Sequence, residues 1–310
     1  MNIEVRAETL EEFDGRVTSR LALQAFDRSG PELSSDRFLW AYRHGYERVI
    51  IISAFSDGTK IGQLVCFSKK VLLAGRFLKA AELVDLFVSP EFRGFKVASS
   101  LYAKMRETLE REGTEIVYAY ANERASYMNR RYLSMEEATP LPAYAGVHFN
   151  FPVFNRSGIT IHKDLDQIAE TCTSHTRPTS RAGLIITREQ LVRRLSSPMY
   201  NYLSASNGEV AIIGSPRIIR SVPVLLVCAT FTNLQLPPNK KTIRALTGAL
   251  CRAAERRIFF YAGWNDAFNF KHGARIPDSL LKGKLLIQSN WMNSRRQDFD
   301  RFELIDIDYA

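Results

Sequence analysis

Residues 81–98, AELVDLFVSPEFRGFKVA, constrain the fold more than any other part of the chain. An apolar run, Leu83–Val88, ends at Ser89-Pro90. It then passes through Arg93-Gly94 into Lys96–Arg111, where Val97, Leu101, Met105 and Leu109 recur at helical spacing. The pattern predicts a strand, a short turn and a helix stopped by Glu112-Gly113. A strand feeding its helix through Arg-Gly-x-x-x-Ala leaves several backbone N–H groups unpaired at a positive helix end. Such an end suits a phosphate or pyrophosphate; an ordinary turn and helix start is the alternative.

The segments around this unit are equally legible. Asn2–Ala7 reads as a strand, and Leu10–Phe26 and Asp36–Tyr46 as helices, with Ser35 as N-cap of the second. Val49–Phe55 and Ile61–Phe67 flank Ser56-Asp57-Gly58-Thr59, a hairpin signal. Ile116–Ala121 is the next strand and Glu123–Leu133 the next helix. With 310 residues the chain has room for two domains. Its 45% hydrophobic and 24% charged residues are ordinary for a globular protein. No run of about eighteen apolar residues predicts a spanning helix. The N-terminus lacks the shape of a secretory signal, and the four scattered cysteines read as reduced thiols of a cytoplasmic protein.

The order of elements and the Arg93…Ala98 spacing resemble those of the GNAT acyltransferases, whose Arg/Gln-x-x-Gly-x-Gly/Ala motif holds the pyrophosphate of coenzyme A. Arg93 and Ala98 match, but Lys96 stands where the family has glycine; it either adds a charge contact or obstructs the backbone approach. Asn122-Glu123-Arg124-Ala125 matches the family's Asn-x-x-Ala opening after the fifth strand. The resemblance implies an α/β fold with a mixed, twisted sheet, in which Leu83–Val88 and Ile116–Ala121 splay apart around the acyl-pantetheine arm. It places the cofactor on Leu86, Phe87, Val88, Arg93, Gly94, Phe95, Lys96, Val97, Ala98 and Asn122. Asn122 has a second reading as a helix N-cap. Seven residues beyond it the family places a tyrosine that protonates the departing thiolate; here that position is Asn129, flanked by Tyr127 and Tyr132, which either replace it or pack in the core.

The chain also repeats itself. Arg76–Ala81 corresponds in character to Arg217–Val222, at an offset of 141, and apolar strands follow both, Leu83–Val88 and Val224–Ala229. A helix follows in each, Lys96–Arg111 and Lys240–Arg256, and Glu115–Asn122 then pairs with Arg257–Asn265. The expectation is two tandem GNAT-like domains, residues 1–155 and 156–310, joined near Asn155–Gly158. The copies differ where chemistry would be: Glu82 falls opposite Pro223, and Arg93-Gly94 opposite Leu234–Pro238, which has neither glycine nor a basic residue. The second copy reads as degenerate, and only the first as binding acyl-CoA.

In histone-acetylating members of the family the position of Glu82 carries the catalytic glutamate. Strand alternation places Glu82, Val84, Leu86 and Val88 on one face and Leu83, Asp85 and Phe87 on the other. Desolvation beside apolar residues would raise the Glu82 pKa towards that of a working base; an exposed strand-end carboxylate is the competing reading. Cys172-x-x-His175 lacks a second pair at metal spacing, so no metal is expected. The ending Phe302–Ala310 alternates like a terminal strand with Asp306 and Asp308 on one solvated face.

These readings point to an N-acyltransferase moving an acyl group, acetyl in the simplest case, from acyl-CoA to an amine acceptor. Two alternatives stand beside it. One is a CoA-binding module without turnover. The other is a Fem-like aminoacyl transferase, which the net charge of +9 would suit, although the basic clusters lack the interleaved aromatics of a nucleic-acid platform.

Overall fold

The computed structural model describes residues 2–27, 30–136, 140–148, 158–175, 182–219, 221–234, 237–268, 273–280, 286–292 and 299–307. Its first half runs β1 (Ile3–Glu8), α1 (Gly15–Phe26), α2 (Ser35–Trp40), β2 (Val49–Ser56), β3 (Thr59–Leu73), β4 (Arg76–Val88), α3 (Phe95–Arg111), β5 (Ile116–Ala121), α4 (Glu123–Leu133) and β6 (Ala143–Val147). The second half opens with β7 (Thr160–His162), α5 (Leu165–Thr173), β8 (Ala182–Ile185), α6 (Arg188–Leu195) and β9 (Leu203–Ser206). It continues with β10 (Val210–Ile219), β11 (Val222–Thr232), α7 (Lys240–Ala253), β12 (Ile258–Asn265), β13 (Ala274–Arg275), β14 (Leu286–Trp291) and β15 (Phe299–Glu303).

Local chemistry sets the boundaries. Helix α1 is shorter than its apolar pattern because the Asp14 carboxylate caps it, accepting from the N–H groups of Arg16 and Val17. Ser34, one residue before the expected cap, starts α2, which winds on into a π turn over Ala41–Gly45. Asp57-Gly58 makes the expected tight hairpin with both φ angles positive, 48° and 77°. Ala74-Gly75 repeats that device at 47° and 81°, so β3 and β4 extend well past their most apolar segments.

The described strands form one fifteen-stranded sheet. In each half a β-hairpin is followed by a helix and a parallel strand: β4 pairs β5 over Ala80–Leu83, and β11 pairs β12 over Val224–Val227. The ladders align Glu82 with Leu226, not with Pro223, because the basic residue opening β4, Arg76, lies after its hairpin turn whereas Arg217 lies before the equivalent turn. Each hairpin has a bulge where its parallel ladder stops, at Asp85 and Leu86 opposite Leu64 and at Cys228. The halves also exchange strands. β6 pairs antiparallel with β12, and β14 pairs antiparallel with β5.

Helix α3 packs on one face of the first-half sheet through Leu101, Met105 and Leu109 against Leu64, Cys66 and Leu83. Helices α1 and α2 and the π turn that continues α2 cover the other face through Leu21, Phe38 and Tyr42 against Phe67 and Phe87. A third cluster joins the halves around Tyr118, Leu184, Phe231, Phe299, Phe302 and Ile305. Burying these side chains is the main driving force for both halves to share one sheet.

The C-terminal residues do not form the solvated strand expected of them. β15 ends at Glu303, a single 3-10 turn follows over Leu304–Asp306, and Asp306 is buried against Arg301. Asp308 lies outside the described residues. β15 pairs with Gly263–Asn265 of β12, beyond the last rung shared by β11 and β12. Gly263, at φ 140°, permits this: a Cβ there would lie 2.4 Å from the Phe302 carbonyl oxygen. Glu303 then accepts from the Thr230 N–H at 3.2 Å and the Thr230 hydroxyl at 2.6 Å. The divergence between β11 and β12 is thereby filled by the chain itself.

Asn129 and Gln288 tie the exchanged strand β14 to α4. Gln288 accepts from Asn129 Nδ2 at 3.2 Å and donates to Ser126 Oγ at 2.9 Å, while Asn129 Oδ1 accepts from the Tyr102 hydroxyl at 2.6 Å. Replacing Gln288 by Leu orphans buried partners, so a loss of about 1–3 kcal/mol is expected in urea unfolding; an unchanged midpoint would make the knot dispensable. Burial pushes the Glu303 carboxyl up to about 7 from its ordinary 4.5, against the pull of Arg301. A raised folded value means that the stability present at low pH is lost as pH rises through that window. The wild type should therefore lose stability relative to Glu303→Gln between pH 4.5 and about 7. Parallel pH profiles for the two proteins would contradict it.

Candidate active site in the first half

The ladder between β4 and β5 ends at Leu83 and Ala119, and beyond it the two strands diverge. The β4 edge facing β5 makes no further ladder pairs there, while its other edge stays paired to β3 through Val88. A cleft of about 720 Å³ opens at this divergence. One wall is Leu86, Phe87 and Val88; the opposite wall is Asn122, Ala125, Tyr127 and Met128. Arg93, Gly94 and Ala98 form one end, and the C-terminal turn of α1 (Ala25, Phe26, Asp27) forms the roof.

The bulge decides which side chains face which way. Glu82, Val84, Asp85 and Phe87 all turn to the α1/α2 side, and Leu83, Leu86 and Val88 to the α3 side. This corrects the uninterrupted alternation expected from sequence: the extra residue in β4 reverses the phase after Val84. Asp85 therefore shares a face with Glu82 rather than opposing it.

The loop after β4 has the turn expected of it. Pro90–Phe92 is a 3-10 turn, and Gly94, the N-cap of α3, has no side chain with which to cap the first N–H groups of that helix. Arg93 is exposed and donates to the Ala25 carbonyl across the cleft mouth. Lys96 is exposed and outside the cleft lining, whereas Val97 is buried in the core beneath α3. Phe95 opens the helix. Nothing acidic occupies the first turn of α3, so its positive end is not neutralised from within.

Glu82 lies elsewhere. It is 1% exposed, absent from the cleft lining, and 3.0 Å from Lys69 Nζ. The reading as an exposed strand-end carboxylate is therefore corrected. Burial pushes the Glu82 carboxyl up while Lys69 pulls it back, and burial also lowers the Lys69 ammonium. Around this pair Lys69 Nζ and the Tyr118 hydroxyl donate to the Asp306 carbonyl at 3.4 and 2.9 Å, and Arg194 donates to the Ile307 carbonyl at 2.6 Å. The C-terminal segment thus reaches the base of β4.

The two tyrosines separate. Tyr127 lines the cleft with its hydroxyl 2.9 Å from Arg131 Nη1, whereas Tyr132 stacks on Tyr102 at 5.4 Å between centroids. Asn122 caps α4, accepting from the Ala125 N–H at 2.9 Å, while also lining the cleft. Asn129 is buried in the knot described above. Cys172 and His175 are buried, with His175 Nδ1 2.5 Å from the Thr171 carbonyl oxygen, and no potential metal cluster occurs among the described residues. Sequence reading missed the roof: Phe26 packs edge-on to Phe87 at 6.1 Å, and only the end of the α1 pattern marked that position. No helix among the described residues is long and apolar enough to cross a membrane.

Residues 4–132 match the family described as acetyltransferase (GNAT) domain. No curated protein matches the sequence. The fold is similar to that of a probable N-acyltransferase from Enterococcus faecalis V583, with TM-score 0.65 and 16% identity over 93% of this chain and 72% of that one. It is also similar to a tandem GNAT protein from the clavulanic acid biosynthesis pathway, with TM-score 0.57 and 12% identity over 95% and 100%. Saccharomyces cerevisiae N-myristoyltransferase with bound myristoyl-CoA gives TM-score 0.59 and 12% identity over 98% and 83%. The open divergence beside β4, its recurrence beside β11 and the matched segment agree: residues 4–132 carry a GNAT acetyltransferase domain, and the chain as a whole has a fold similar to that of a tandem GNAT protein.

Proposed function

We propose that the chain is an N-acyltransferase that moves an acyl group, acetyl in the simplest case, from acyl-CoA to an amine acceptor. The observation carrying this reading is the open divergence of β4 and β5, which ends at Arg93-Gly94 and the uncapped start of α3. The free edge of β4 at Leu86–Val88 offers backbone donors and acceptors to a pantetheine arm. The turn Arg93–Ala98 offers N–H groups and positive charge to a pyrophosphate. Residues 1–155 form the acyl-CoA-binding lobe in this reading, and residues 156–310 a lobe without a cofactor. The Glu303 carboxylate supports the latter, because it already occupies the Thr230 N–H in the second divergence.

In the reaction, N–H groups near Val88 polarise the thioester carbonyl. The amine's nitrogen forms the new C–N bond as the C–S bond breaks, with no covalent enzyme intermediate. Tyr127, the tyrosine in the cleft lining, returns a proton to the departing thiolate. Glu82 takes the amine's proton through water, since its carboxylate is buried beside Lys69 rather than in the cleft wall. A second reading, a CoA-binding module without turnover, draws support from Asn129, which spends its side chain on the structural knot.

Titrating the full chain with acetyl-CoA by calorimetry should give saturable heat, and Arg93→Ala should weaken binding about tenfold, the worth of one charge-assisted hydrogen bond. Absence of heat at millimolar ligand would overturn the acyl-CoA reading. Glu82→Gln is expected to lower kcat about 100-fold or more while leaving the acetyl-CoA Kd within about twofold. Normal turnover in that variant removes Glu82 from the mechanism, and a wild type that binds acetyl-CoA yet turns over no amine favours the module.

A further inference from the structure

Asp85 is a non-glycine residue in the left-handed region, at φ 49°, in the middle of a strand. That conformation is unfavourable for most side chains and persists only where surrounding contacts hold it. Here the contacts are specific. Asp85 Oδ2 accepts from Arg37 Nη1 at 2.5 Å and from the Tyr42 hydroxyl at 2.8 Å, and that hydroxyl accepts from Gln63 Nε2 at 2.8 Å. Arg37 is 5% exposed, Tyr42 1% and Gln63 0%. Arg37 comes from α2 and Tyr42 from the π turn that continues it, while Gln63 lies across the β3–β4 ladder opposite Phe87. Two donors thus converge on one carboxylate, one of them backed by Gln63, at the point where the β4 ladder shifts register.

The second half supplies a comparison within the same molecule. Its bulge residue, Cys228, is fully buried, and its thiol donates to the Leu226 carbonyl at 3.5 Å, with no ion pair on it among the described residues. There β15 and Glu303 fill the divergence. The pinned bulge accompanies the open cleft, and the unpinned bulge accompanies the filled one.

We propose that Asp85, clamped by Arg37 and Tyr42, is a positioning residue that fixes the β4 bulge so that the Leu86–Val88 backbone faces the cleft. Asp85 would touch neither substrate; it acts through the peptide groups that follow it. The inference rests on the acyl-CoA reading above for what that backbone holds.

The test combines binding with amide hydrogen exchange on the full chain, well below its melting temperature. Asp85→Ala removes both the carboxylate and a residue tolerant of positive φ, and it should weaken acetyl-CoA binding about tenfold or more. Asp85→Asn, which keeps an accepting oxygen and tolerates the left-handed conformation, should recover affinity to within about threefold of wild type. Tyr42→Phe, a milder change that serves if the alanine variant fails to fold, should weaken binding about threefold. In the same Ala and Phe variants, exchange of the Leu86–Val88 amides should quicken about tenfold while that of β11 stays unchanged. Wild-type affinity in folded Asp85→Ala or in Tyr42→Phe, or unaltered exchange at Leu86–Val88, would overturn the proposal. Failure of the wild type to bind acetyl-CoA would sink the functional reading instead, and the exchange rates would still decide whether Asp85 pins the bulge.

Discussion

The divergence of β4 from β5 is the feature on which the rest of the molecule turns. Two parallel strands share only the rungs from Ala80 to Leu83, and a one-residue bulge then directs β4 away. A strand edge left without a partner inside a protein is costly unless water, a ligand or another segment satisfies it. The two halves meet that demand differently. In the first, the edge borders an open cleft; in the second, β15 and the Glu303 carboxylate fill the equivalent place.

The strand exchange follows from the same geometry. Each fifth strand diverges from its parallel neighbour and is covered on its outer edge by a strand from the opposite half, β14 on β5 and β6 on β12. Tyr118, Phe299 and Phe302 fill the shared core between them. The buried charges at the base of β4 belong to this junction: Glu82, Lys69, Arg194 and the carbonyls of Asp306 and Ile307 lie together because the C-terminal segment crosses there. The surroundings of Glu82 therefore depend on the seating of the last residues described.

Much of this was legible in the sequence. Leu83–Val88, Ile116–Ala121 and Glu123–Leu133 carry strong local patterns, and the Asp57-Gly58 turn needs positive φ that few other pairs supply. The second copy was visible because its strands and helix recur in order. Its register was not, since aligning Arg76 with Arg217 ignored which side of each hairpin turn the residue occupies. The facing of Glu82 and Asp85 was misread for a similar reason: a bulge adds a residue without any glycine or proline to announce it. The fate of the C-terminus is a tertiary outcome, because alternation alone cannot distinguish a solvated strand from one inserted between β12 and β8. Gly263, standing where the first copy has Ala121, was the one local hint.

A crystal grown with acetyl-CoA tests the account most directly. The account predicts one cofactor per chain, its pantetheine arm beside Leu86–Val88 and its pyrophosphate at Arg93-Gly94, with Glu303 still bonded to Thr230. A cofactor seated between β11 and β12 with β15 displaced, or cofactor in both divergences, would contradict it.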